Sequence, residues 1–116
     1  MKRIVLFFLL VLALSISAVA AQDSVTLTFL ADDSQNTQDT VKALADAYTA
    51  LHPNVTFSIE SRPGGSDGDN IVKTRLATGD MTDIFFYNSG SLLQALHPTD
   101  TLVDLSSEAF IANIAE

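Results

Sequence analysis

The chain has 116 residues, 47% of them hydrophobic, with six Lys or Arg against 14 Asp or Glu, a net charge of −8, and no cysteine. That charge repels phosphate backbones and no Lys/Arg cluster offsets it, which argues against nucleic acid as a partner; its blander role is solubility. Without cysteine there is neither a disulfide scaffold nor a lipid anchor attached through a thiol, and the length suits one domain with a modest core.

Residues 1–20 have the make-up of a secretory signal. Lys2 and Arg3 precede an apolar run from Ile4 to Leu14, and Ala18-Val19-Ala20 supplies the small side chains of a cleavage site. The run is too short for a retained transmembrane helix and polar residues follow at once, so the mature chain is expected to begin at Ala21 or Gln22. Loss of Lys2 and Arg3 leaves four basic residues against 14 acidic ones, a charge of −10. Export without disulfides leaves the core to hold the fold alone, as in a bacterial periplasm or at a cell surface, and residues 21–116 are read as one unit.

In the exported part, VTLTFLA (25–31) alternates and then turns continuously apolar, the pattern of a strand. ADDSQNTQD follows as a polar loop, with Asn36 as expected N-cap and Asp39 three residues on. Val41, Leu44, Ala45, Tyr48 and Leu51 recur at three- and four-residue steps and predict a helix with one apolar stripe, ended by His52-Pro53. VTFSIE (55–60) alternates cleanly, as a strand near a sheet edge does. SRPGGSDGDN is read as a surface loop, with Ser66 and Asp69 offering a second helix start; Ile71, Val72 and Leu76 give its apolar face and Gly79 its end. Asp83-Ile84-Phe85-Phe86-Tyr87 carries an unbroken apolar run, the pattern of a strand covered on both faces. Short helices are expected near 90–96 and 107–115.

The order strand, helix, strand, helix, strand requires parallel strands with right-handed crossovers. With the alternating strand outside and the continuously apolar one inside, the sheet order is 2-1-3, an α/β unit with helices on both faces. In such sheets winding reverses between strands 1 and 3, and ligands bind in the crevice at the carboxyl ends. Those ends carry Asp32, Asp33 and Ser34 on one side and Asn88, Ser89 and Gly90 on the other. Carboxylate, amide and hydroxyl groups there can hydrogen-bond a polar solute, and the helix after Gly90 can aim free amides at it. Asp32 and Asp33 serve equally well as loop-solvating groups that favour the next helix. Phe86 and Tyr87 can stack on a ring or fill the core.

The pieces VTLTFLADD and LATGDMTDIFFYNSGSLLQALHPTDTLVDLSS, after a signal peptide, resemble the amino-terminal lobe of bacterial extracellular solute-binding proteins of family 1, which serve ABC importers. In that family a helix ends in Ala-x-Gly, an Asp starts the next strand, and a short helix leads to Leu-x-Asp-Leu; Ala77-Thr78-Gly79, Asp83-Ile84 and Leu102-Val103-Asp104-Leu105 match those points. Many relatives carry Pro just before the strand Asp, where Thr82 stands here. The resemblance implies an incomplete periplasmic-binding-protein-like lobe, a monomer that captures a small solute, most often a sugar, and presents it to a membrane permease unchanged. Its members close two lobes around the solute, whereas this chain covers only part of the first, as a fragment or a truncated product.

Other chemistries find little support in the residues. His52 and His97 each precede Pro and read as turn residues, and no Ser lies in a Gly-x-Ser-x-Gly elbow, so no nucleophile and base can be paired. A small exported hydrolase with Asp32 or Asp33 as general base, and a single-lobe interaction module, are the competing classes. PGGSDGDN lacks the Gly-Lys-Ser/Thr ending of a nucleotide loop, and its acidic residues repel anions. Asp67, Asp69 and Asn70 lack the glycine and distal glutamate of a calcium loop, so neither metal nor cofactor is expected.

Overall fold

The computed structural model describes residues 23–114. The expected signal segment and its cleavage point at Ala21 or Gln22 lie outside the described residues. Three parallel strands are joined by two helices: β1 (Val25–Asp32), α1 (Gln35–Leu51), β2 (Val55–Arg62), α2 (Gly65–Thr78) and β3 (Ile84–Phe85). Two one-turn helices, α3 (Ser91–Gln94) and α4 (Pro98–Thr101), and a 3-10 turn at Ala109–Asn113 follow. The sheet order is β2-β1-β3, as the alternation patterns require. Among the described residues no helix is long and apolar enough to cross a membrane.

The central strand β1 pairs with β2 along its whole length, Val25 opposite Val55 through Asp32 opposite Arg62, and with β3 only at Phe29–Ile84 and Leu30–Phe85. Side chains alternate between the faces of a strand, so Leu30 and Ala31, both fully buried, point to opposite sides. On the Leu30 side lies the principal core, Leu30 with Val72 of α2 and Leu96, flanked by Leu76, Met81, Phe85, Tyr87 and Leu93. Arg75 of α2 reaches the same side of β2, its Nη1 donating to Glu60 Oε2 at 2.8 Å. On the other side α1 packs on β1 and β2 through buried Val41 and Ala45, and Tyr48 meets Phe57 edge to face. Helices thus cover both faces.

Several local expectations give way. The N-cap of α1 is Ser34, not Asn36. The loop is drawn tight because Asp32 takes the Ser34 amide at 3.0 Å and the Thr37 hydroxyl at 3.0 Å, while Gln38 Nε2 donates to the Asp32 carbonyl. Helix α2 starts at Gly65, within the stretch read as a surface loop, with Gly64 as N-cap. Its C-cap is Gly79 as expected: φ is 72°, a left-handed geometry that glycine enters without a Cβ penalty, and Asp80 N donates to Arg75 O. The apolar stripe of α1 is only half buried, with Leu44 62% and Leu51 78% exposed. They lie on the flank of α1 away from its contact with β1 and β2. The same placement corrects β3, expected to be covered on both faces: Phe85 and Tyr87 join the core, but Ile84 and Phe86 are exposed because α1 does not extend over β3. The final helix is a 3-10 turn, and α4 was not anticipated.

β3 is short for a specific reason. The Asp83 carboxylate accepts from Thr28 N at 2.8 Å and Thr28 Oγ1 at 2.7 Å, and Asp83 N donates back to Thr28 Oγ1 at 3.0 Å. A side chain thereby occupies the β1 amide that a longer ladder would use. The Thr28 amide holds the Asp83 carboxyl below its ordinary pKa of 3.8, with the Thr28 hydroxyl adding to it. A lowered folded pKa stabilises the fold at neutral pH, and this contribution is lost as pH falls through and below 3.8. Asp83→Asn is expected to melt at lower temperature than the wild type at neutral pH, the gap closing as pH falls through that range, checked by circular dichroism melts over a pH series. Leu30→Ala, which empties the middle of the core, is expected to cost about 2–5 kcal/mol in urea unfolding.

Candidate functional site

The carboxyl ends of β1, β2 and β3 open on one side of the sheet, where a cavity of about 190 Å³ is lined by Asp32, Arg62, Gly64, Gly65, Phe86, Tyr87 and Asn88. Two of the expected site residues, Asp32 and Asn88, meet there. Asp33, Ser34 and Ser89 are exposed on the adjoining loops. A larger groove between α1 and the edge of β2, lined by Ala45, Thr49, Phe57 and Ile59 among others, lies on the α1 side of the sheet, away from these residues.

The five expected residues divide by what their side chains already do. Asp32 is occupied by Ser34 N and Thr37 Oγ1. The Ser34 hydroxyl, which donates to Thr37 Oγ1, also stands close enough to lower the Asp32 pKa. Together with the Ser34 amide, the Thr37 hydroxyl and the charge of Arg62, it outweighs the upward effect of partial burial. Asp32 is therefore an anion that organises its own loop. Ser34 is the α1 N-cap. Asp33, Asn88 and Ser89 are exposed and engage no side-chain hydrogen bond among the described residues.

Sequence reasoning missed the residue at the floor. Arg62, read only as part of a loop, is 4% exposed. Its guanidinium sends Nη1 to the Pro63 carbonyl at 3.2 Å and Nη2 to the Phe86 carbonyl at 3.3 Å, tying the ends of β2 and β3 together, while Nε is buried without a partner. No carboxylate lies within salt-bridge distance of it among the described residues, whose two ion pairs are Lys42–Asp46 and Arg75–Glu60. Arg62 also sits over the Tyr87 ring, 5.6 Å from its centroid. Tyr87 Oη is buried and unpartnered; burial first, then the charge of Asp69, raises its pKa, with Arg62 opposing. The available signal was parity: Arg62 is two and four residues beyond Glu60 and Ser58 on the face of β2 that α2 covers.

The helix that serves the cavity also differs from expectation. α3 after Gly90 has four residues, too short to gather a substantial dipole, whereas the 14-residue α2 presents its amino end through Gly64 and Gly65 with no side-chain cap. α2 comes this close because residue 68 is glycine. A Cβ there would collide with the Pro63 carbonyl and Arg62 Nη1. Among the described residues no group of three or more His, Cys, Asp or Glu is placed to hold a metal ion.

This α/β fold, with its sheet in the order β2-β1-β3, superimposes on parts of solved structures, one of them described as a solute-binding protein. An extracellular solute-binding protein of family 1 from Alicyclobacillus acidocaldarius matches 77% of this chain with a TM-score of 0.66 at 20% identity. RafE from Streptococcus pneumoniae, solved in its apo form, matches 82% at TM-score 0.61 and 17% identity. The uncharacterized protein lmo0859 from Listeria monocytogenes matches 76% at 0.64 and 16%. The chain spans only 22% of the Alicyclobacillus and Listeria proteins and 24% of RafE. No family model and no curated protein matches the sequence.

Gly68→Ala is expected to push the first turn of α2 off Arg62. The cost should be about 1–3 kcal/mol, as for overpacking of a filled site, read as a lowered urea midpoint.

Proposed function

We propose that this chain is the amino-terminal part of an exported solute receptor of an ABC importer, working as a monomer, that takes up a small polar solute, a sugar above all, and hands it unchanged to a membrane permease. The observation that carries this reading is the cluster of free polar groups, Asp33, Asn88 and Ser89, beside a polar cavity at the point where the sheet's winding reverses. Such groups can accept from and donate to solute hydroxyls, and the half-exposed Phe86 ring beside them offers an apolar face to a sugar ring. The structural neighbours, one of them an extracellular solute-binding protein by description, support the class, and the signal-like residues 1–20 support export to the periplasm or cell exterior. A second lobe, as in the proteins this chain resembles, would supply the remaining contacts.

Asp32 is assigned to positioning: its occupied oxygens hold the loop that presents Asp33. Binding without chemistry fits this site, because it offers hydrogen-bonding groups and no paired nucleophile and base. Calorimetry of the full-length exported protein against mono- and oligosaccharides tests the reading. The combined Asp33→Ala and Asn88→Ala change is expected to weaken the bound sugar roughly tenfold or more, since two hydrogen bonds, one to a charged group, are lost. Its melting temperature should stay near wild type, because both side chains are exposed. A sugar affinity untouched by the double change would remove these residues from the site, and failure of every small solute to bind would remove the receptor reading.

A further inference from the structure

The geometry points to an acidic solute: the cavity at the carboxyl ends of the strands is a subsite for a single carboxylate, as carried by a sugar acid, received by Arg62 and the uncapped amino end of α2. This rests on the receptor reading above and narrows its substrate class. Arg62 is 96% buried by area, its exposure being 4%, and it lines the cavity. Of its five N–H donors two are spent on the carbonyls of Pro63 and Phe86, and Nε is among those left over. A buried cation is costly unless paired, and among the described residues no carboxylate reaches within salt-bridge distance of this one.

The second donor set is independent of the first. The opening amides of α2 have no intrahelical acceptor, and its N-cap, Gly64, has no side chain to supply one. Gly64 and Gly65 line the same cavity as Arg62. A guanidinium and the positive end of a 14-residue helix thus face one small space, in which Asp32 is the one carboxylate among the lining residues and already has its oxygens engaged by Ser34 and Thr37. The volume, about 190 Å³, is ample for one such group, and Phe86 and Asn88 line the same space for the rest of the solute.

The surrounding acids set the charge of the guest. Asp32 lines the cavity, its oxygens engaged by Ser34 and Thr37; Asp67 lies in the first turn of α2 and is exposed; Asp69 faces Tyr87. These three carboxylates outnumber the one arginine, so each further charge on the guest adds repulsion and a carboxylate monoanion is favoured over a phosphate dianion.

Calorimetry at neutral pH on the full-length exported protein compares galacturonate and glucuronate with galactose and glucose, with the methyl esters of the two acids, and with the corresponding sugar 1-phosphates. The acid is expected to bind at least tenfold tighter than both its parent sugar and its ester, with the preference shrinking at high salt. Arg62→Lys, which keeps the charge but loses the fork, is expected to reduce that preference; a melt establishes that the variant folds, and the ester comparison on unaltered protein decides the matter if it does not. Parent sugar or ester binding as tightly as the acid would overturn the carboxylate subsite while leaving the receptor reading intact. A 1-phosphate binding tighter than the acid would overturn the monoanion assignment. Acid preference unchanged in a folded Arg62→Lys variant would move the subsite away from Arg62, and no binding by any member of the panel would overturn the receptor reading and the subsite with it.

Discussion

The attachment of β3 to β1 is the constraint on which the site depends. Only two residue pairs join these strands, so the ladder alone gives weak control of where β3 lies. The reciprocal bonds between Asp83 and Thr28 fix its start, and the Phe86 amide, bonded to the Leu30 carbonyl at 2.8 Å, fixes its end. Between these two points Phe85 is held over the Leu30 core, and just beyond them the chain turns out to deliver Asn88 and Ser89 to the rim. Strand position, core packing and site geometry are set by the same few bonds.

Much of this was legible from the residues. Alternation in VTFSIE against the continuous apolar run IFFY was enough to set the strand order, because a strand wet on one face belongs at an edge and crossovers between parallel strands have one hand. The carboxyl-end residues followed from that order. Legibility failed where a local pattern was overruled by a partner distant in sequence. IFFY reads as buried on both faces only if a helix lies over each, and α1 covers β1 and β2 instead. Asn36 has the chemistry of an N-cap, but Asp32 seizes the Ser34 amide two residues after itself and starts the helix earlier. Gly64 and Gly65 looked like a loose loop because nothing local reveals that α2 begins there against Arg62.

Arg62 is the clearest case of information absent from local pattern. An arginine before proline at the end of a polar-faced strand ordinarily points into water. Its burial follows from three separate facts: the parity that turns it toward α2, the missing side chain at position 68, and the carbonyl of Phe86 arriving from β3. None of these is within reach of a periodicity argument, and each is needed for a cation to lie under a helix end.

The parallel arrangement of the three strands has a consequence for how such a protein can change over evolutionary time. Every carboxyl end opens on the same side, yet Asp33, the Gly64-Gly65 start of α2 and Asn88-Ser89 belong to three different segments, while Leu30, Val72 and Leu96 hold the interior from elsewhere in the chain. Substitutions in one of these segments can therefore change the groups displayed at this end of the sheet without disturbing the other two or the packing beneath them. Arg62 is the exception, since its guanidinium bonds both the Pro63 and the Phe86 carbonyls: a change at that buried position would be felt in two segments at once.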